Sequence, residues 1–198
     1  YFVGLSILAV IIIISQWLIQ NYLEKQINDS RVINVAGRQR MLSQKLAKEV
    51  LQLTTQKSTE QLQDQQQTIQ QTLNLWTSSH QGLKNGSTEL ELPGNNSEIV
   101  EGMFDSIEVY YQEIVTGSTE ILALLEQPIV DKTKLDSATA KILSNEANFL
   151  SGMDKLVFQY DFEAKQKVVE LSGVELFLLL VALLAIILEL FFIFRPTA

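Results

Sequence analysis

The run LFLLLVALLAIILELFFIF, residues 176–194, is apolar at every position except Glu189. At about 1.5 Å per residue, a helix of this length crosses the roughly 30 Å of hydrocarbon in a bilayer. A second such run opens the chain, from Tyr1 to Ile19, with Trp17 and Tyr22 where an interfacial aromatic belt would fall. These runs imply transmembrane helices over 1–21 and 174–195, bracketing a domain over 22–173. The first run has no basic n-region and no small-residue cleavage site after it, so it reads as a retained span and not a removable signal. Two spans place both chain ends on one side, and Arg195 after the second run assigns that side to the cytoplasm. The expected topology is multi-pass, with 22–173 extracytoplasmic.

The averages of the chain hide this segregation. It has 198 residues, a formal charge of -8, 46% apolar residues and a mean hydropathy of only +0.13. The absence of cysteine fits an exported domain held by helix packing instead of disulfides. The roughly 150 residues between the spans suffice for one core-bearing domain.

That middle segment shows helical periodicity and no useful strand alternation, so the expected fold is all-α: an antiparallel up-down four-helix bundle flanked by the spans. The first helix runs out of the membrane at about Tyr22 and continues to about Gln56. A second follows the Lys57-Ser58-Thr59 break, with Ser58 or Thr59 as cap and an apolar stripe of Leu62, Ile69, Leu73, Trp76 and Leu83. Asn85-Gly86 and Pro93-Gly94 mark a loop over 84–96, after which Ser97 can cap a third helix carrying Ile99, Met103, Ile107, Tyr110, Ile114, Ile121 and Leu125. Pro128 ends it. A fourth begins near Lys132, with core positions Leu135, Ile142, Phe149, Met153, Leu156, Tyr160 and Leu171, and enters the second span as one rod.

Charge singles out one part of the first helix. Residues 25–48 hold six basic side chains against Asp29 alone, a net of +5, whereas residues 49–170 hold eight basic and nineteen acidic ones, a net of -11. A basic patch in an acidic domain favours a small anion. On a helical wheel Ile33, Gly37, Arg40, Gln44 and Leu51 fall on one narrow stripe, with Val35, Leu42, Leu46 and Leu53 opposite. Two opposed apolar stripes imply two packing partners, the chain's own core and the same helix of a second subunit in a homodimer. Arg31, Arg38 and Lys45 lie on a flank between them, toward solvent. Arg40 would then meet its symmetry mate in a seam, where an oxyanion could satisfy both guanidinium groups and Gly37 would leave it room. The alternative is that Arg40 pairs with an acid of a neighbouring helix and Gly37 merely permits close helix contact.

The segment Ile33-Asn34-Val35-Ala36-Gly37-Arg38-Gln39-Arg40-Met41-Leu42-Ser43-Gln44 resembles the signature of the PilJ-type sensor domain, found at the N-terminal end of type IV pili chemotaxis transducers and in some histidine kinases. It is also similar to the Ile-Asn-x-Ala-Gly-x-x-Arg-Met-x-Ser pattern of the NarX and NarQ nitrate sensors, whose glycine and arginine line a nitrate site at the dimer axis. That resemblance implies a ligand site at Gly37 and Arg40, with nitrate or nitrite as the leading ligands; Ile33, Met41 and Gln44, their neighbours on the helix, complete the candidate set. Arg38, Gln39, Leu42 and Gln44 depart from the nitrate sensors and bring the segment closer to the PilJ type.

Elsewhere chemistry is sparse. His80 is the only histidine, with no ligand-spaced Cys, Asp or Glu, and reads as a surface residue and not a metal ligand. Ser43 has no base at a recognisable spacing, and no phosphate loop or metal cluster occurs, so no enzyme, cofactor, metal or nucleic-acid partner is expected within these residues. The carboxylates of the third and fourth helices read as solvated. Glu189 is costly in lipid and reads as a packing or interfacial group, with a signalling role as the alternative.

Overall fold

A computed structural model describes residues 2–53 and 59–194. The expected helix end near Gln56, the Ser58 cap and Arg195 lie outside these residues. Among the described residues the chain is all-α, with four helices: α1 (Phe2–Leu53), α2 (Thr59–Asn85), α3 (Glu98–Leu125) and α4 (Lys132–Phe194). The one exception is an isolated bridge between Ser87 and Leu92. Both α1 and α4 contain a window long and apolar enough to cross a membrane.

The local signals account for the ends. Ser97 caps α3 by accepting from the Val100 N–H, and Pro128 follows the end of that helix. The α2 to α3 connection begins after Asn85, two residues beyond the expected loop start. It folds tightly because Gly94, at φ +67°, lies against the backbone of Gly86, where a Cβ would have no space. Asn96 in this loop donates to the carbonyls of Leu83 (2.9 Å) and Lys84 (3.2 Å), and accepts from the Tyr160 hydroxyl at 2.7 Å. The last turn of α2 and the α4 helix are thereby tied through one side chain.

The chain divides into two compact units, residues 30–161 and, separately, residues 1–29 with 162–198. In the first unit, side chains of all four helices form one core. Its centre is Trp76, fully buried, with the rings of Tyr111 and Phe149 each 4.9 Å away. Such offset and edge contacts add about 0.5–1.5 kcal/mol per pair beyond the area they bury. Leu46, Ile69, Ile114, Ile142 and Met153 are buried around it, as their spacing requires. Ile99, expected in the core, is 60% exposed. The buried stripe of α3 runs Val100, Phe104, Ile107, Tyr111 and Ile114, and Ile99 lies about 100° from its centre on the helix.

His80 also departs from expectation. It is fully buried, stacked on Tyr111 at 3.8 Å and edge-on to Phe104, and neither ring nitrogen has a hydrogen-bond partner. Its position one turn after Trp76 puts it on the core face of α2, a phase that outweighs the polarity of the side chain. Burial lowers its pKa to about 4, opposed by Glu108 at 3.9 Å and assisted by Lys84. A folded-state pKa below the ordinary 6.5 means that the unfolded chain takes up the proton first. Stability is therefore full above about 6.5 and is lost as pH falls toward about 4, by on the order of 3 kcal/mol. Chemical unfolding followed across this range should show that slope, and His80→Phe should flatten it.

A candidate ligand site on the first helix

Rotation of α1 about its axis is set by Gln39. Its side chain is fully buried and its Nε2 donates to the Trp76 carbonyl at 3.0 Å. With Gln39 pointing inward, Val32, Val35, Ala36, Leu42, Ser43, Leu46, Ala47 and Val50 share the buried arc. The stripe of Val35, Leu42, Leu46 and Leu53 thus packs into the chain's own core, as its spacing implies. The small residues Ala36, Ser43 and Ala47 widen that arc beyond the apolar pattern. At its edge Glu49 is buried, accepting from Thr72 Oγ1 at 3.2 Å, while its backbone carbonyl accepts from Gln65.

The candidate residues fall on two sides of the arc's border. Ile33 is half-buried and packs against the chain's own core. Met41 is 53% and Leu51 46% exposed, and Gln44 is exposed. Gly37 faces open space, since a Cβ there would meet nothing within 4 Å. The close helix contact that could have explained this glycine is absent among the described residues. Arg40 sits between, half-buried, and its guanidinium donates to Asp154 of α4. The acid partner weighed as an alternative for Arg40 is therefore present. Both side chains of the pair keep over a third of their surface in water, at 37% and 46%, so it contributes about 1 kcal/mol at most.

Two of the flanking cations are also paired. Arg31 meets Glu91 of the α2 to α3 connection, and Lys45 lies 3.5 Å from Glu49, whereas Arg38 is exposed. Asp154 and Gln39 were not legible as site residues. Asp154 is 114 positions from Arg40, on a helix rich in carboxylates, and no spacing rule links the two. Gln39 sits beside Arg40 in a polar run and reads as exposed until α2 is placed against it. Ser43 donates to the Arg40 carbonyl at 2.9 Å, a local helix bond. No group of three or more metal-ligating side chains occurs among the described residues.

The open space at Gly37 yields a direct test of the fold. Gly37→Ala replaces a poor helix former by the best one without a clash, so it should raise the unfolding free energy of dilute protein by about 0.5–1 kcal/mol. A marked loss in thermal unfolding would show that this face is already packed in the single chain.

No curated protein and no solved structure matches the chain. Residues 22–141, more than half of the chain, match the type IV pili methyl-accepting chemotaxis transducer N-terminal family, PilJ. That match includes the whole Gly37–Arg40 segment and the core helices α2 and α3. On this match, and with two helices apolar enough to span a membrane, the chain belongs to the PilJ family of chemotaxis-transducer sensor domains.

Proposed function

We propose that this chain is the extracytoplasmic ligand-sensing and transmembrane signalling region of a bacterial receptor, of the chemoreceptor or sensor histidine kinase type. In this reading residues 22–173 form an up-and-down four-helix bundle in a homodimer, and the flanking helices cross the inner membrane. The ligand is a small anion, with nitrate or nitrite first among the candidates through the similarity of residues 33–44 to the NarX and NarQ pattern. The observation that carries the reading is Arg40: a half-exposed guanidinium beside the open face of Gly37, on the one strongly basic segment of an acidic chain. Exposed Met41 and Gln44 on the same face support a second copy packing there.

The Arg40–Asp154 pair supplies a mechanism. An incoming oxyanion competes with the Asp154 carboxylate for the same fork of N–H donors. Because the pair is half in water it is cheap to exchange. Its rupture releases α4 at Asp154, and α4 is the helix that continues into the second apolar window. Ligand binding would thus shift the population between two placements of α4 along α1. The output module and the nature of the downstream partner lie beyond this chain in this reading.

Calorimetry of the full chain in nanodiscs with nitrate, nitrite and chloride tests the site. Arg40→Ala should abolish binding, and Asp154→Asn, by removing the competitor, should tighten it several-fold. Unchanged binding in Arg40→Ala refutes the site. The Asp154 pair itself favours a second reading, a ligand-free dimerisation module in which Arg40 is already satisfied. That reading requires every anion to leave the melting temperature unmoved, whereas a ligand at about 100 times its dissociation constant adds about 2.7 kcal/mol.

A further inference from the structure

The unit formed by residues 1–29 and 162–198 contains a polar contact that its apolar composition does not call for. The carboxyl of Glu189 on α4 occupies the volume that a Cβ on Gly4 of α1 would fill. Only glycine at this position admits it, through approach of the oxygen to the Cα–H edge of the backbone. Further along the same two helices, Lys167 Nζ lies 2.7 Å from Asp29 Oδ1. The two contacts pair the helices in opposite directions, early α1 with late α4 and the reverse.

Their separation matches a bilayer. From Gly4 to Asp29 the rise along α1 is about 37 Å, and from Lys167 to Glu189 along α4 it is about 33 Å, against roughly 30 Å of hydrocarbon. Between them, half-buried positions recur at alternating steps of four and three, at Gly4, Leu8, Ile11, Ser15 and Leu18 on α1. The same steps on α4 run Leu178, Ala182, Ala185 and Glu189. Ile12, Ile13, Leu180 and Leu184, off these stripes, are exposed as lipid-facing residues are. An alternating four-three stripe on each helix is the pattern of a close antiparallel seam.

We propose that Glu189 seated at Gly4 and the Asp29–Lys167 pair form a two-point clasp, one point at each edge of the membrane, that fixes the register of the two spans. The proposal rests on the reading of these helices as membrane spans. Sliding α4 by one turn, about 5.4 Å, breaks both points. The Asp29–Lys167 pair, with Lys167 half in water, exchanges its partner for solvent at little cost. Glu189 exchanges less readily, because a slide that carries it deeper than the Gly4 notch drives its carboxyl against lipid or a larger side chain. The clasp therefore defines one resting register and resists the others, and the carboxyl at Gly4 is its stronger point.

The chain has no native cysteine, which makes the register directly measurable in vesicles. Ile11→Cys with Ala182→Cys lies one heptad from the Glu189–Gly4 contact on both helices. Ile11→Cys with Leu178→Cys, or with Ala185→Cys, lies about one turn out of register. The in-register pair should crosslink several-fold faster than either offset pair. Glu189→Gln should keep that preference, and Glu189→Leu and Gly4→Leu should erase it. The milder Gly4→Ala and Glu189→Ala should reduce it. Single cysteines at Ile12 and Leu184 report on the membrane itself through an impermeant maleimide. Labelling there as fast as at Gln67→Cys overturns the spanning reading. Protection there, with the crosslinking preference unchanged in Gly4→Leu and Glu189→Leu, overturns the clasp alone.

Discussion

Convergence of all four helices at Trp76 is the constraint on which the sensor unit depends. Trp76 is carried by α2; Tyr111 from α3 and Phe149 from α4 pack against its ring, and Gln39 from α1 donates to its backbone carbonyl. The Gln39 bond is the more consequential of these for function. Apolar packing tolerates rotation of a helix by a few tens of degrees, but a buried amide left without a partner costs about 1–3 kcal/mol. With Gln39 held inward, Arg40 falls at the border facing α4, and Gly37, Met41 and Gln44 face outward. Phase in the core thus decides which residues of α1 are offered to a ligand or a second chain.

Around that fixed centre the ionic contacts are of a different kind. Arg40–Asp154 and Arg31–Glu91 both keep part of their surface in water and join segments far apart in sequence. Each is weak by itself and can be exchanged for another partner. A core that resists rearrangement, ringed by pairs that do not, suits a protein whose proposed task is to move one helix slightly in response to binding. His80 belongs to the rigid part, since its stacking on Tyr111 with unsatisfied nitrogens leaves it no favourable charged state.

The long helices give the proposed mechanism its route along the chain. α1 and α4 each run unbroken from an apolar window into the core-bearing unit. Asp154 and Glu189 belong to the same helix, one against the Arg40 guanidinium and the other against Gly4.

Length and apolarity alone located the candidate spans, and the 3.6-residue period with Ser97, Pro128 and the Gly-containing loop located the helices of the core unit. Charge counting isolated the basic segment of α1. These are local properties, expressed by neighbours within a few turns, and so they are legible in the chain. The burial of His80, the exposure of Ile99 and the inward turn of Gln39 depend on which arc of each helix meets another helix, and apolar spacing gives that arc only to within about one residue. The choice of Asp154 for Arg40, and of Gly4 for Glu189, joins residues more than a hundred positions apart. Only the packed structure decides such pairs, because it alone brings one particular carboxylate among nineteen between residues 49 and 170 within reach of the arginine.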